Sequence, residues 1–337
     1  MTRPKKTATL VVLFLSALIA LVACPMLGMS SISADVLFSA ADSIQHTIYW
    51  NIRLPRVILA FMIGAILSLC GMVFQALFKN PLTTPFTLGI SSGAAFGAVA
   101  FIVFGSEIAL LGIAKSYSAA FAGALLSIAT VYAITRIRGG FSTLTMLLAG
   151  VAVNFFFSSL ILLFQYVADY AQVFHTYRWL MGSLETFGYG KVLAVAPFFV
   201  VGGLTIFYSR NELNLMLLGE ELAISRGLDT VRFKFFMFIV CSLMVGVAVS
   251  LCGVIGFVGI ISPHIARLLI GSDHKYLTGA SFLFGGIFLV LCDVLSRKII
   301  SPSELPIGVI TALLGGPFFV WLLVTRSGRR NIISQPF

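Results

Sequence analysis

Residues 210–234 read RNELNLMLLGEELAISRGLDTVRFK, and the whole chain is organised around this stretch. Charges crowd here as nowhere else: Arg210, Glu212, Glu220, Glu221, Arg226, Asp229, Arg232 and Lys234. Apolar runs flank it, Val192–Tyr208 before and Phe233–Phe257 after. Gly219 and Gly227 each follow a run of one or two helical turns, Leu213–Leu218 and Glu220–Arg226, and glycine just past a helix end is a common stop. Glu220 and Glu221 at the start of the second run, and Arg226 at its end, suit the helix dipole. The pattern predicts two short helices lying across a membrane face. Leu217, Leu222, Ala223 and Ile224 are then available to fill a partner's groove. The alternative is a solvated loop, but structureless loops longer than about 15 residues are uncommon inside compact domains.

The rest of the chain explains why such a surface stands out. Of 337 residues, 59% are hydrophobic and 10% charged. Soluble domains carry roughly 25% charged residues, so most of this chain faces lipid or other apolar helices. The net charge of +10 comes without a basic patch separate from the apolar runs, which argues against nucleic acid. A positive-inside bias accounts for it. The five cysteines, Cys24, Cys70, Cys241, Cys252 and Cys292, lie inside apolar runs without a CxxC pair and read as packing residues.

A spanning helix needs about 20 apolar residues. Nine runs qualify: Ala8–Met29, Val57–Phe78, Phe86–Gly105, Tyr117–Thr135, Phe141–Ala168, Val192–Tyr208, Phe233–Phe257, Leu277–Ser296 and Leu305–Thr325. The first exceeds the h-region of a signal peptide, so it reads as a span. Both chain ends are basic, Arg3, Lys5 and Lys6 at one and Arg326, Arg329 and Arg330 at the other, which calls for an even number of crossings. The missing one is Val258–Gly271, too short to cross lipid alone and broken by Pro263, yet tolerable when buried among other helices. The reading is therefore an all-α polytopic membrane protein of ten transmembrane helices, with both termini cytoplasmic. In this arrangement fifteen Lys and Arg residues fall inside and seven outside, the outer ones being Arg53, Arg56, Lys115, Arg178, Lys191, Arg297 and Lys298. Residues 209–232 become a cytoplasmic connection and 327–337 a flexible tail.

At an offset of 182 the chain resembles itself over residues 62–89. Ser68-Leu-Cys-Gly71 matches Ser250-Leu-Cys-Gly253, and Met62, Gly64, Pro81 and Gly89 match Met244, Gly246, Pro263 and Gly271. The copies begin five spans apart, so they cross in opposite directions. An inverted repeat of spans 2–5 (57–168) and 7–10 (233–325) follows, a pattern of transporters. A duplication serving packing alone is the alternative.

Single motifs are mostly structural. Gly89, Gly93 and Gly97, spaced by four, let helices approach closely. His264 lacks a second metal ligand at suitable spacing and points to a structural or gating role beside Pro263. Gln75 and Asn154, polar inside apolar spans, are candidates for a polar path or for interhelical hydrogen bonds. Asp293 and Arg297 share a helix face at i, i+4. No GxxxxGK[ST] loop and no nucleophile–base pair is present, so neither nucleotide hydrolysis nor an enzyme is indicated.

Taken together, these residues resemble the FecCD family, the permease subunits of iron-siderophore and vitamin B12 ABC importers (type II importers). The resemblance is carried by Arg53-Leu-Pro-Arg56, Gly64-Ala65, Gly71, Gln75, Asn80-Pro81-Leu82, Pro85, Leu88-Gly89 and Trp179-Leu-Met-Gly-Ser183. It continues in Gly219-Glu220-Glu221, Ala223, Gly227, Gly256-Phe-Val-Gly259, Pro263-His264, Arg267, Gly271, Asp273-His274 and Glu304-Leu-Pro-Ile-Gly308. It implies a bacterial inner-membrane permease paired with a second permease subunit, identical or sister. Two cytoplasmic ATPases carry the ATP and Mg, and this chain binds no cofactor itself. The resemblance places the ATPase contact at Leu213–Leu228, including Leu217, Gly219, Glu220, Glu221, Ala223 and Gly227. It gives Arg53, Arg56 and Arg297 the docking of a periplasmic or lipoprotein substrate-binding protein. Its translocation path runs along the fifth and tenth spans, which brings in Asn154, with Gln75, Pro263 and His264 as further path or gate residues. The implied cargo is a ferric siderophore, with cobalamin or haem as alternatives. An ATP-independent channel or secondary transporter is the rival class, and it would call for more intramembrane acids than Asp293.

Overall fold

An apolar chain in lipid must satisfy every backbone polar group internally, and helices do this within one segment. The computed structural model describes residues 3–28, 44–105, 114–137, 142–300 and 303–327, and among them every regular element is helical. Most of the outer connection after the first span, Arg138 and the tail beyond Ser327 lie outside the described residues.

Seven stretches are long and apolar enough to cross a membrane. They contain α1 (Arg3–Ala23), α3 (Leu54–Leu77), α5 (Ala114–Ile137), α6 (Thr143–Val167), α8 (Gly190–Tyr208), α11 (Thr230–Cys252) and α13 (His274–Lys298). The α3 stretch starts early, through α2 (Ile44–Thr47) and a π-helical turn, Ile48–Arg53. Three shorter apolar helices, α4 (Ile90–Phe104), α12 (Val258–Ile270) and α14 (Ile307–Ser327), bring the described set to ten. The short eighth member, α12, has 13 residues and runs about 20 Å at 1.5 Å per residue. Both Pro263 and His264 are buried in it, as a sub-length helix requires. The remaining helices, α7 (Tyr170–Leu180), α9 (Arg210–Leu218) and α10 (Glu220–Ser225), are too short and polar to span.

Chain packing resolves into two compact units. In the first (residues 1–69, 183–207 and 256–335), α13 is the central helix. Its Phe282 ring meets Phe61 of α3 and Phe199 and Phe207 of α8 at centroid distances of 5.7, 5.5 and 6.0 Å. Gly64 and Gly285 let α3 and α13 cross in close contact: a Cβ on Gly285 would lie 2.6 Å from the Gly64 carbonyl oxygen. Ser68 Oγ donates to the Ser281 carbonyl there, at 2.7 Å.

In the second unit (residues 70–182 and 208–255) the spaced glycines do what their spacing predicts. A Cβ on Gly93 would come within 2.5 Å of the Gly123 carbonyl, and one on Gly97 would overlap the Ala119 carbonyl. Helices α4 and α5 are therefore in backbone contact. Gly89 opens α4 at φ +79°, and its carbonyl accepts from Ser127 Oγ of α5 at 2.7 Å. Cys70 Sγ packs 3.6 Å from the Cys241 carbonyl, and all five cysteines are buried thiols.

The repeated sequence carries its local structure only as far as Cys70 and Cys252, both copies being helical to that point. Ser68-Leu-Cys-Gly71 lies inside α3, whereas Ser250-Leu-Cys-Gly253 ends α11 with Gly253 at φ +70°. Pro81 lies in a turn and Pro263 within α12. Met62 and Met244, and Gly64 and Gly246, lie inside helices in both copies, whereas Gly89 starts α4 at ψ 0° and Gly271 ends α12 at ψ −176°.

Candidate functional site

The charged stretch folds as α9 and α10 joined at Gly219, with α9 starting three residues before the expected Leu213. Gly219 has φ +126° and ψ +151°, a conformation essentially reserved for glycine, and it turns the chain in a single residue. Gly227, at φ +86°, ends the second helix in the left-handed region. Between them the Ala223 carbonyl accepts from the Leu228 and Arg226 amides at 3.0 and 3.2 Å, closing the turn. Asp229 then caps α11, its Oδ1 accepting from the Arg232 amide at 3.0 Å.

Burial sorts the side chains of this pair. Leu213, Met216 and Ala223 are fully covered, and Leu217 is half-buried. Ala223 is thus corrected from a partner-facing residue to an inward-facing one, because it lies on the inside of the α10 turn. Leu218, Leu222 and Ile224 are 60%, 56% and 59% exposed, although each is a large apolar side chain. Leu218 was not picked out from the sequence.

Glu220 and Glu221 are both exposed, but only Glu220 is drawn back to the chain. Lys234 of α11, 2% exposed, donates to Glu220 Oε1 at 2.5 Å and to Thr143 Oγ1 of α6 at 3.3 Å. An ammonium so buried is tolerable only when paired, since its desolvation costs several kcal/mol. Lys79, left-handed at φ +47°, brings its ammonium to 3.7 Å from where a Gly219 Cβ would stand.

The arginines expected to meet a carrier are arranged differently from an open docking surface. Arg53, Arg56 and Arg297 are 8%, 7% and 3% exposed. Arg56 Nε donates to Asp293 Oδ1 at 2.8 Å and its Nη1 to Glu304 Oε2 at 2.7 Å. Arg297 Nη2 pairs with Asp293 Oδ2 at 3.0 Å, and its Nη1 donates to the Leu27 carbonyl at 2.9 Å. Arg53 Nη1 donates toward the Pro25 and Met26 carbonyls at 3.4 and 3.3 Å. Asp293 is itself fully buried. These groups tie the segment after α1 to α3, α13 and the turn before α14. None of the three arginines presents its charge at the surface here: carboxylates of the chain's own second half engage Arg56 and Arg297, and backbone carbonyls after α1 engage Arg53.

Gln75 is buried near the end of α3, and Asn154 is half-buried on α6. Pro263 and His264 lie on α12, where the His264 ring is 6.1 Å from Phe318 of α14. Next to them Phe257, left-handed at φ +66°, begins α12 and packs its ring on Gly315 of α14. A bulky side chain in that conformation is strained and needs such packing to hold it.

Helix α7 was not expected. Its start is a capping box, Asp169 accepting from the Gln172 amide and Gln172 Oε1 accepting from the Asp169 amide. At its far end Gly182 packs against the Val254 carbonyl, and Gly253 leaves no room for a Cβ beside the Trp179 carbonyl. Trp179–Gly182 thereby acts as a clasp on the end of α11.

The FecCD transport family model matches residues 9–325. A cobalamin import system permease protein, BtuC of Halobacterium salinarum, is 41% identical over 88% of this chain and 78% of its own length. A probable iron chelatin transport system permease protein of Helicobacter pylori is 40% identical over 82% of each chain. Among solved structures, an inward-facing conformation of a putative metal-chelate type ABC transporter matches with TM-score 0.86 and 30% identity, over 95% of this chain and 99% of that one.

Proposed function

This chain belongs to the FecCD transport family as a multi-pass ABC importer permease, and from that premise we propose that its cargo is a ferric siderophore driven inward across the bacterial inner membrane. The positive-inside count supports cytoplasmic termini and a cytoplasmic α9–α10. The exposed set Leu218, Leu222 and Ile224, on two short helices with buried backs, supports coupling to an ATPase, and the likeness to an iron chelatin permease supports the cargo. Apolar side chains displayed beside Glu221 and Arg226 suit a groove on a cytoplasmic ATPase, which supplies ATP, Mg and hydrolysis. Exposed clusters of this kind mark partner surfaces. A second permease subunit completes the path.

At the other side of the membrane the cluster of Arg53, Arg56 and Arg297 is the proposed carrier end. A carboxylate of a substrate-binding protein docks there by competing with Glu304 for Arg56. Glu304 is the more exposed of the two carboxylate partners of Arg56, at 27% of its side chain against 0% for Asp293. Asn154 and the α14 helix remain candidates for the path, with Gln75, Pro263 and His264 beside them.

Cobalamin is the second reading for the cargo. The cobalamin and iron-chelate relatives are equally similar to this chain, at 41% and 40% identity. The deciding experiment reconstitutes the permease with its ATPase and carrier in liposomes and compares ATP-driven uptake of radiolabelled ferric hydroxamate and cobalamin. Iron-chelate uptake that excess cobalamin leaves intact is expected. Uptake of cobalamin alone would overturn the siderophore assignment.

A further inference from the structure

We propose that the Lys234–Glu220 ion pair is the link that carries movement of α10 into the membrane helices α11 and α6, making Lys234 a positioning residue for transport. The inference rests on α9–α10 being the ATPase-facing surface and adds how that surface is attached.

The attachment problem is physical. Helix α10 has six residues, far below the length at which a helix holds itself together. Gly219 and Gly227 bound it with conformations that let the chain turn sharply, so backbone continuity alone is a weak lever. What fixes α10 to the membrane part is therefore its side chains. Ala223 contributes a small buried contact. Glu220 contributes a charge, and it meets the ammonium of Lys234 on the second turn of α11.

That pair differs from the neighbouring Asp229–Arg232 pair. There both side chains are mostly exposed, 53% and 89%, and such a pair transmits little, because water readily takes either partner's place. Lys234 has 2% of its side chain exposed. If α10 moved and α11 did not follow, the ammonium would be left buried without its carboxylate, the costly outcome for a buried pair. The hydroxyl of Thr143, at the first residue of α6, is the third member of the contact. One ammonium thus joins α10, α11 and the start of α6, so a push on α10 moves both helices together. An apolar side chain of the same length would slide instead.

The test uses the complete transporter with its ATPase and carrier in liposomes, measuring uptake and ATP hydrolysis in the same preparation. The variants are Lys234→Met, the conservative Lys234→Arg, and the exchange Glu220→Lys with Lys234→Glu. Lys234→Met is expected to lower cargo moved per ATP at least ten-fold in protein of wild-type melting temperature. Lys234→Arg and the exchange are expected to recover at least a third of the wild-type ratio. Should Lys234→Met prove unfolded, Glu220→Gln is read in its place, with the same expected fall. A wild-type transport-to-hydrolysis ratio in folded Lys234→Met or Glu220→Gln would overturn the link. So would failure of both Lys234→Arg and the exchange to recover any of the ratio. A wild-type permease that does not retain its ATPase on purification would instead sink the reading of α9–α10 as the ATPase surface, before any variant is compared.

Discussion

Replacing Asp293 by Asn removes one charge and almost no volume from the most buried ionic site in the first unit. Asp293 has no exposed surface and receives Arg56 at 2.8 Å and Arg297 at 3.0 Å. With Asn in its place, Arg297 keeps the Leu27 carbonyl and Arg56 keeps Glu304, but the two guanidinium charges lose their shared counter-charge. Breaking a buried pair by neutralising one partner costs about 3–5 kcal/mol, because the other charge stays buried. Glu304→Gln is the control at the same site. Its carboxylate is 27% exposed and Arg56 retains Asp293, so the loss should be about 1 kcal/mol, as for a solvent-screened pair. The double variant Asp293→Asn with Arg297→Gln removes the stranded charge and should recover about 1–3 kcal/mol of the sum of the single losses. Unfolding by SDS titration in mixed micelles, followed by tryptophan fluorescence, measures all five proteins: the wild type, Asp293→Asn, Arg297→Gln, Glu304→Gln and the double variant. The reasoning fails if Asp293→Asn loses less than about 1 kcal/mol, or if Glu304→Gln loses more than Asp293→Asn.

Further outcomes at three glycines follow from backbone geometry. Gly97→Ala should destabilise by about 1–3 kcal/mol, since the new methyl overlaps the Ala119 carbonyl and prises α4 from α5. Gly203→Ala, whose Cβ would meet nothing within 4 Å on α8, should be neutral or stabilise by up to about 1 kcal/mol; the same SDS titration compares them. At Gly227, held at φ +86°, alanine should cost about 1–2 kcal/mol locally, while asparagine, which tolerates the left-handed region, should cost less. Limited proteolysis between Ser225 and Asp229, faster in Gly227→Ala than in Gly227→Asn, reads that difference.

Much of this protein was legible without coordinates because lipid imposes its demand residue by residue. A run of apolar side chains must span or be buried whatever surrounds it, so nine apolar spans could be counted, and the basic residues at both chain ends pointed to the short tenth, which the structure places at Val258–Ile270. Chain reversals at Gly219 and Gly227, and close packing at Gly93 and Gly97, were equally local, because only glycine suits those backbone angles or that separation. Helix α7 was missed, because its polar composition hid it behind the hydropathy signal although Asp169 and Gln172 stand at capping-box spacing.

What only the tertiary structure decided was the engagement of each charge and the direction each side chain faces. Arg56 looked like an outward cation, yet its two carboxylate partners lie 237 and 248 residues further along the chain. Ala223 and Leu222 are neighbours in sequence, and packing buried one and exposed the other. The repeated Ser-Leu-Cys-Gly is helical in both copies as far as its cysteine and parts at its glycine, because α3 continues through Gly71 while the Trp179–Gly182 clasp packs on Gly253. Even the stretch from Arg210 to Lys234 yielded its helices from sequence but not its fastening. The burial of Lys234 depends on α6, whose first residue is 91 positions away, and no local pattern records which charge will be enclosed. Hydropathy and backbone angles are properties of a window of sequence, whereas ion pairing in a low-dielectric interior belongs to whichever groups the packed helices bring together.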